Sequence, residues 1–320
     1  MQLRYLAALA MMLMMTAPAS AQSCTFTNTG LDWGAINLAV SANYDTTGTF
    51  TATCSGTGGA TVRVCPNFNA GSGGVNATGT ERYMLAGANQ LRYNIYRNNG
   101  HTQEWGSHTW GLAPTPPTIN ITLNAGGTGS GSQTMFGRVF SGQTALPAGT
   151  YTSLFSGTNT QIAYAYSTVG NCAAIGTTNS TSVPFTATLR YNTSCSVSAT
   201  TLNFGSSGVI SSNIDASNTI SVTCTVGTPY TVSLDGGNSG AANPTLRKMA
   251  NPGNTAFVTY GIYQDAARSL PWGSTIGSNT VAGTGTGSAQ SITAYGRVPP
   301  QTTPAAQTYT DTIIVTVTYN

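Results

Sequence analysis

Short runs in which apolar and polar residues alternate recur along the whole chain. They are rich in threonine, valine, isoleucine and tyrosine, and they include residues 49–53, 60–64, 91–96, 118–123, 219–223, 230–234 and 257–263. Successive side chains of a β-strand point to opposite faces, so a period of two is typical of strands with one buried face. Glycine, proline and asparagine separate the runs, and no long amphipathic helical pattern is present. The pattern predicts an all-β protein.

The same landmarks occur twice in the same order. Each copy opens with a cysteine, an aromatic–glycine pair nine residues later and a second cysteine: Cys24, Trp33, Gly34 and Cys54, then Cys195, Phe204, Gly205 and Cys224. Further pairs follow: Arg82 and Arg247, Tyr96 and Tyr263, Trp105 and Trp272, Arg138 and Arg297, Tyr151 and Tyr309. A repeat of this length is a duplicated domain, not a solenoid unit. We expect domain one at residues 22–192 and domain two at residues 193–320, each a β-sandwich.

The first residues resemble an export signal. Arg4 precedes an apolar run at residues 5–15, and Ala19-Ser-Ala21 supplies a small-residue cleavage site. The run is too short to span a bilayer, so a cleaved signal peptide at residues 1–21 is favoured over an uncleaved anchor. Exported proteins meet an oxidising environment, and the six cysteines are therefore expected to form disulfides.

The connectivity of six cysteines is formally open, but the duplication narrows it. Cys24–Cys54 and Cys195–Cys224 are the pairs that each copy owns, which leaves Cys65 and Cys172 for a third bridge. Aligning residues 61–65 with 231–235 puts Asp235 opposite Cys65 in domain two. The alternative is a metal or redox site. It is disfavoured because the chain has no Cys-x-x-Cys and only 2 histidines.

Charge and motif content argue against several function classes. Only 6% of the residues are charged and the formal net charge is +3, which is too little to indicate a nucleic-acid partner. The candidates for acid–base catalysis are few: His101, His108, Glu81 and Glu104. His101 and Glu104 stand close together in a predicted loop, where solvated polar residues are common. No nucleophile elbow, phosphate loop or dinucleotide fingerprint is present, so neither an enzyme nor a cofactor is expected.

The landmarks together resemble the spore coat protein U domain family, which includes the pilins of archaic chaperone–usher pili. The resemblance lies in Cys-x8-aromatic-Gly, Tyr-x-Ile-Tyr followed by Trp-Gly, Gly-Arg-Val and a final Tyr-x-Asp-x-Ile segment. It implies two tandem immunoglobulin-like sandwiches, the second lacking its final strand. It also implies three partners: a periplasmic pilus chaperone, an outer-membrane usher and an adjacent pilin that supplies a donor strand.

The last segment of domain two agrees with an accepted strand. Ile313, Val315, Val317 and Tyr319 alternate with polar residues, and we expect them to form the edge that receives the donor. Only Gln22 and Ser23 stand between the expected cleavage site and Cys24. The chain is therefore expected to accept a strand without donating one, as a subunit at the tip of a cell-surface pilus does. A structural pilin or coat subunit is the alternative.

Two apolar segments of domain one have no close counterpart in domain two. They hold Trp110, Leu112 and Ala113, and Ala145, Leu146 and Pro147. The tip adhesins of the resembled family present apolar loops at the distal end of their first domain. We therefore expect these residues to be exposed adhesive loops for an abiotic or host surface, acting in biofilm formation. Packing within the domain is the alternative, and the ligand class stays open between a hydrophobic surface, a glycan and a protein.

Overall fold

The computed structural model describes residues 22–38, 42–111, 113, 115–166, 171–176 and 179–320. The expected signal peptide at residues 1–21 and one expected adhesive residue, Leu112, lie outside these ranges. Within them, no helix is long and apolar enough to cross a membrane.

The described residues of domain one form strands and connecting loops, with one helical turn, α1 (Cys172–Ile175), and one 3-10 turn (Gly157–Asn159). Its strands are β1 (Ser23–Asn28), β2 (Leu31–Ile36), β3 (Tyr44–Ser55), β4 (Thr61–Phe68), β5 (Arg82–Ala86), β6 (Asn89–Tyr96), β7 (Ile119–Thr122), β8 (Thr128–Val139), β9 (Gly149–Phe155), β10 (Thr160–Ala165), β11 (Thr181–Ser182) and β12 (Phe185–Tyr191). They form an eight-stranded sheet in the order β1-β3-β8-β6-β5-β9-β12-β2 and a four-stranded sheet in the order β11-β10-β4-β7.

Domain two repeats this arrangement with fewer strands. They are β13 (Cys195–Ala199), β14 (Ile214–Cys224), β15 (Pro229–Leu234), β16 (Arg247–Ala250), β17 (Phe257–Tyr263), β18 (Val281–Thr284), β19 (Ala289–Val298) and β20 (Val315–Tyr319). The order β13-β14-β19-β17-β16 corresponds to β1-β3-β8-β6-β5, and β18-β15-β20 corresponds to β7-β4-β10. The all-β prediction of two tandem sandwiches is therefore confirmed.

Each domain encloses its own apolar core between its two sheets. The Gly-Arg-Val motif serves the same framework role in both. A Cβ on Gly137 would lie 2.6 Å from the Trp33 ring, so glycine is needed where the aromatic side chain crosses β8. Arg138 then binds Asp45 across the sheet with two 2.7 Å hydrogen bonds. These bonds hold the pKa of the Asp45 carboxyl below its ordinary value.

A buried arginine forms a second shared framework element. The Arg82 side chain is fully buried, donates to the carbonyl oxygens of Phe68, Asn69 and Trp105, and has its pKa lowered by burial to about 10. Its counterpart in domain two donates to the corresponding carbonyls of Leu234, Asp235 and Trp272. Because a buried carbonyl without a donor is destabilising, each arginine stabilises the strand end whose carbonyls it binds.

The correspondence of these bonds corrects one alignment made from sequence. The indole N–H of Trp105 donates to Pro66 O at 2.9 Å, and that of Trp272 donates to Val232 O at 3.0 Å. The position equivalent to Cys65 is therefore Thr231 and not Asp235. The sequence alignment was wrong because alternating β-strand sequences match one another in several registers.

Three disulfides join Cys24 to Cys54, Cys195 to Cys224 and Cys65 to Cys172. The first two bridge directly paired residues of neighbouring strands. The third closes a chain separation of 107 residues and fastens α1 to β4. It lies in a small apolar cluster of its own with Ala163 and Ile175.

Replacing Cys65 and Cys172 together by serine is expected to destabilise domain one alone. Losing a bridge across a loop of this length lowers the free energy of unfolding by roughly 2–5 kcal/mol, and the two cores are separate. Calorimetry of the full chain should show the domain-one transition at a lower temperature and the domain-two transition unchanged. Equal shifts of both transitions would contradict independent cores.

Alkaline pH is expected to destabilise domain one through Tyr93. Complete burial raises the pKa of this phenol to about 12, against an ordinary value of 10.0. The folded state therefore binds the proton more tightly, so its contribution is present below pH 10 and is lost between pH 10 and 12. A difference of about two pKa units corresponds to roughly 3 kcal/mol. Tyr93→Phe should flatten the loss of stability in this range, and an unchanged pH dependence would show that Tyr93 does not contribute.

The two domains meet through a short, hydrogen-bonded connection. Only three residues separate β12 from β13. Asn192 N–H donates to Ile36 O in domain one at 3.0 Å, and Thr225 N–H of domain two donates to Ser194 O at 2.9 Å. Beside this linker, a parallel β-bridge joins Pro147 to Val226. The linker is therefore hydrogen-bonded to both domains, and the two domains also contact each other directly beside it.

Candidate functional site

The strand β12 closes the sandwich of domain one. It runs antiparallel to β9 over its full length and parallel to β2 on its other side. Its inward side chains are buried: Phe185, Ala187, Leu189 and Tyr191. Phe185 stacks on Phe155 with ring centroids 4.4 Å apart and contacts Phe68 at 4.8 Å. β12 therefore completes the core of domain one from its place between β9 and β2.

Domain two has no strand at the corresponding place, and a groove of about 930 Å³ lies there. One wall is the segment 199–208, which follows β13 as β2 follows β1. The other wall is the segment 303–313, which precedes β20 as β9 precedes β10. The floor is formed by apolar side chains of the core: Ile220, Met249, Val258, Tyr260, Ile262, Ala294 and Val298. The groove has the position that β12 occupies in domain one.

Paired residues of the two domains show what the missing strand leaves uncovered. Leu31, Trp33, Met84, Tyr151 and Phe155 of domain one are buried. Their counterparts in domain two are all half-buried and line the groove: Leu202, Phe204, Met249, Tyr309 and Ile313. The sequence signatures are the same, so the change in exposure comes from the absent neighbour.

The walls of the groove also differ in backbone structure. In domain one, the aromatic–glycine motif lies in β2 and the tyrosine motif lies in β9. In domain two, neither Phe204 nor Tyr309 lies in a strand, and the second wall forms only a single bridge, between Thr310 and Ala250. A strand needs a hydrogen-bonded partner, and among the described residues neither wall has a neighbouring strand on the side of the groove. The groove therefore offers two unpaired backbone edges as well as an apolar floor.

One charged group reaches the groove. Asp311 accepts hydrogen bonds from Tyr260 Oη and from Asn238 N–H, both at 2.8 Å. Burial and this carboxylate together raise the pKa of the Tyr260 phenol far above its ordinary value. Ser153 occupies the equivalent place in domain one, beside Tyr93. The carboxylate is thus engaged within the domain and belongs to its framework.

Of the four residues that were expected to form the accepting edge, two line the groove and two do not. Ile313 and Val315 line the groove. Val317 and Tyr319 do not, because they lie further along β20, opposite Val232 and Tyr230 and beyond the end of the groove. Sequence reasoning missed the wall at residues 199–208. Its signal was available: the Cys-x8-aromatic-Gly motif is in both copies, whereas the strand sequence 185–191 is in domain one alone.

The expected adhesive loops are placed differently from the prediction. Ala113 is buried, and the Trp110 ring packs over the Arg82 guanidinium at 4.7 Å. The expectation of an exposed apolar tip is therefore wrong for Ala113, whereas Trp110 is half-buried and its adhesive role stays a prediction.

The second expected loop faces domain two. Leu146 packs against the core of domain one, and Pro147 bridges to Val226. Ala145 is exposed, but it lies in this same connection. The expectation of a distal location is wrong for all three residues. Proline- and alanine-rich composition marks a packed turn between domains as readily as a free loop.

The acid–base candidates also occupy structural contacts. His101 Nε2 lies 3.7 Å from an Asp45 carboxylate oxygen, and burial lowers the pKa of the imidazole. His108 Nδ1 lies 2.7 Å from the side-chain oxygen of Asn67. Glu81 forms a salt bridge at 3.1 Å, and burial raises the pKa of Glu104. Among the described residues, no group of three or more metal-ligating side chains is assembled.

The fold and the groove define a protein built from two immunoglobulin-like sandwich modules, one complete and one lacking a strand. The chain belongs to the Spore Coat Protein U domain family, which matches residues 10–158 and 181–316. Protein U of Myxococcus xanthus is 30% identical over 129 residues, covering 37% of this chain and 72% of that protein.

A solved structure shares the fold over nearly the whole chain. It is a chain of the CsuC–CsuE chaperone–tip adhesion subunit pre-assembly complex from the archaic chaperone–usher Csu pili of Acinetobacter baumannii. The match has a TM-score of 0.53 and 14% identity, and it covers 92% of this chain and 99% of that one.

Proposed function

We propose that this protein is a subunit of a chaperone–usher pilus. Its domain two is completed by a strand from the adjacent pilin and is held by a periplasmic chaperone until an outer-membrane usher assembles it. The observation that carries the proposal is the open groove of domain two at the place where β12 lies in domain one. Unpaired edges above an apolar floor are the features that bind an added strand. Membership of the Spore Coat Protein U domain family supports the same class.

The arrangement of domain one supports a position at the pilus tip on the cell surface. Its own groove is filled by β12, so it has no place for a strand from another subunit. Its segment Ser23–Asn28 is paired with β3 and is not available for donation. Domain one is therefore the domain that we assign to attachment to an abiotic or host surface and to biofilm formation.

A structural pilin or coat subunit is the second candidate. It is favoured by one observation: the apolar segments at Ala113 and at Leu146–Pro147 are occupied by packing and are not free for adhesion. The two candidates differ in the position of the protein along a fibre and in whether its first domain is needed for attachment.

The groove is tested by Leu202→Glu, with Val209→Glu as the matched control. Leu202 lines the groove, whereas Val209 directly follows the wall 199–208, is 73% exposed and does not line the groove. The buried charge should prevent recovery of the protein with its chaperone and its incorporation into fibres. The Val209 variant should behave as the native chain. Normal incorporation of both variants would refute the proposal.

The tip position is tested by immunogold labelling of fibres and by deleting residues 22–192. A tip adhesin gives label at fibre ends, and the deletion leaves fibres that no longer attach. Label along the whole fibre with unchanged attachment would establish the structural pilin instead.

A further inference from the structure

The connection between the two domains has the form of a junction between two subunits. β12 fills the groove of domain one and, three residues later, the chain enters the first strand of domain two. Under the proposed function, a subunit that donates a strand follows the same course: its donor strand fills the groove of one module, and its own folded domain, here called its body, follows directly in the chain. The segment 183–194 is thus equivalent to a donor extension of domain two that has inserted into domain one.

The junction includes contacts besides the strand itself. Pro147 forms a β-bridge with Val226, and a Cβ on Gly287 would clash with the carbonyl oxygen of Thr144. Gly287 has a φ of 75°, a conformation that glycine adopts without strain. The turn after β8 therefore packs directly on the near end of the next module.

Domain two carries the same turn, and there it is uncovered. Gln143 and Gln301 make the same bonds, each exchanging two hydrogen bonds with the backbone of the neighbouring strand, at Arg92 and Thr259 respectively. The hydroxyl groups of Tyr151 and Tyr309 both donate to the carbonyl four residues earlier, at Pro147 and Ala305.

These bonds align Thr144 with Thr302 and Pro147 with Ala305. Thr302 and Ala305 are exposed, whereas Thr144 and Pro147 are half-buried at the junction.

We propose that residues 302–306 dock on the body of the neighbouring subunit, as residues 144–147 dock on domain two. The partner is a second chain of the same module class. Apolar and polar residues alternate in its donor strand. Its body has a small apolar residue at the position of Val226 in domain two and a glycine turn at the position of Gly287. This inference rests on the proposed function and adds a second contact surface to it.

Two fusions of the full chain separate the two claims. The register of β20 makes Asn320 equivalent to Ala165, the end of β10. The first, called the strand fusion, carries a second copy of residues 183–192, joined to Asn320 through a flexible linker of about 20 residues. The second, called the body fusion, carries a second copy of residues 183–320, joined through the same linker. Thr302→Cys is placed in the original domain two of both, and its rate of thiol labelling is measured.

The body fusion should slow labelling of this thiol about tenfold relative to the strand fusion, to the rate of Thr144→Cys in the native chain. Thr312→Cys, at an exposed position of the groove wall that both fusions cover with the same strand, should label equally fast in both fusions. Equal rates at Thr302→Cys would overturn the docking surface while leaving the groove intact. If the strand fusion unfolds at the same temperature as the native chain, the groove does not take a strand, and both proposals fail.

Discussion

A synthetic peptide with the sequence of residues 183–192 is expected to raise the unfolding temperature of domain two by about 8–16 °C. At a peptide concentration about 100 times its dissociation constant, binding stabilises the folded state by about 2.7 kcal/mol. Domain two is intermediate in size between the domains for which each kcal/mol shifts the transition by roughly 4–8 °C and those for which it shifts it by roughly 2–4 °C, so about 3–6 °C per kcal/mol applies. The measurement is differential scanning calorimetry of the full chain, in which domain one is already complete and serves as an internal reference.

The peptide fits the groove because the walls are duplicates of those that hold β12. In domain one, Phe185 packs on Phe155 and Phe68, and the equivalent residues of domain two are the smaller Ile313 and Leu234. Space for an aromatic ring is therefore present at that end of the groove. Each large apolar side chain that becomes buried contributes roughly 1.5–3 kcal/mol.

The control peptide carries aspartate in place of Leu189. It keeps the length and the backbone hydrogen bonds but would place a charge on the apolar floor, so no shift is expected. An equal shift with both peptides would show that binding does not depend on the groove. No shift with the native sequence at millimolar concentration would contradict strand acceptance.

Leu189→Asp in the full chain is expected to unfold domain one at 25 °C. Leu189 is 0% exposed at the centre of β12. An unpaired carboxylate there costs more than about 4 kcal/mol, a large part of the stability of a small domain. The loss should be seen as disappearance of the domain-one transition in calorimetry and as rapid proteolysis of residues 22–192.

Leu154→Asp provides the matched control on the neighbouring strand. Leu154 is 45% exposed on β9, so the same chemical change places the charge in water. Its effect should stay within about 0.5 kcal/mol, as for surface substitutions in general. A folded Leu189→Asp variant would mean that β12 is not required for the core.

Much of the architecture can be predicted from sequence because its signals are local. The alternation of residues in β4 and β15 and the paired cysteines of β1 and β3 all lie within short stretches of chain. Repetition then supplies the domain number without any knowledge of contacts. The surplus strand sequence at 183–191 was also visible as an element that domain two lacks.

The open edge could not be located in this way. Val317 and Ile313 belong to one alternating run, yet one side chain lies opposite Val232 and the other lines the groove. Which edge of a sheet stays unpaired depends on neighbours distant in sequence. The motifs around Phe204 and Tyr309 repeat those of domain one, but that they face each other across one strand position follows from the place of β12 between β2 and β9.

The apolar segments of domain one show a similar limit. Composition alone does not distinguish a tryptophan exposed at a loop tip from one that covers a buried arginine, as Trp110 covers Arg82. Pro147 is an ordinary turn residue in sequence and acquires its role only because Val226 lies beside it.

The order of the two modules along the chain has a consequence for biosynthesis. Translation proceeds from the amino terminus, and domains fold as units in that order. The strand Phe185–Tyr191 is therefore made after both walls of its own groove and before either wall of the groove in domain two. For a short interval, only one of the two similar binding places exists. Because of this order, the strand can pair first only with the groove of domain one. When the groove of domain two has formed, that strand is already inserted and does not compete for it.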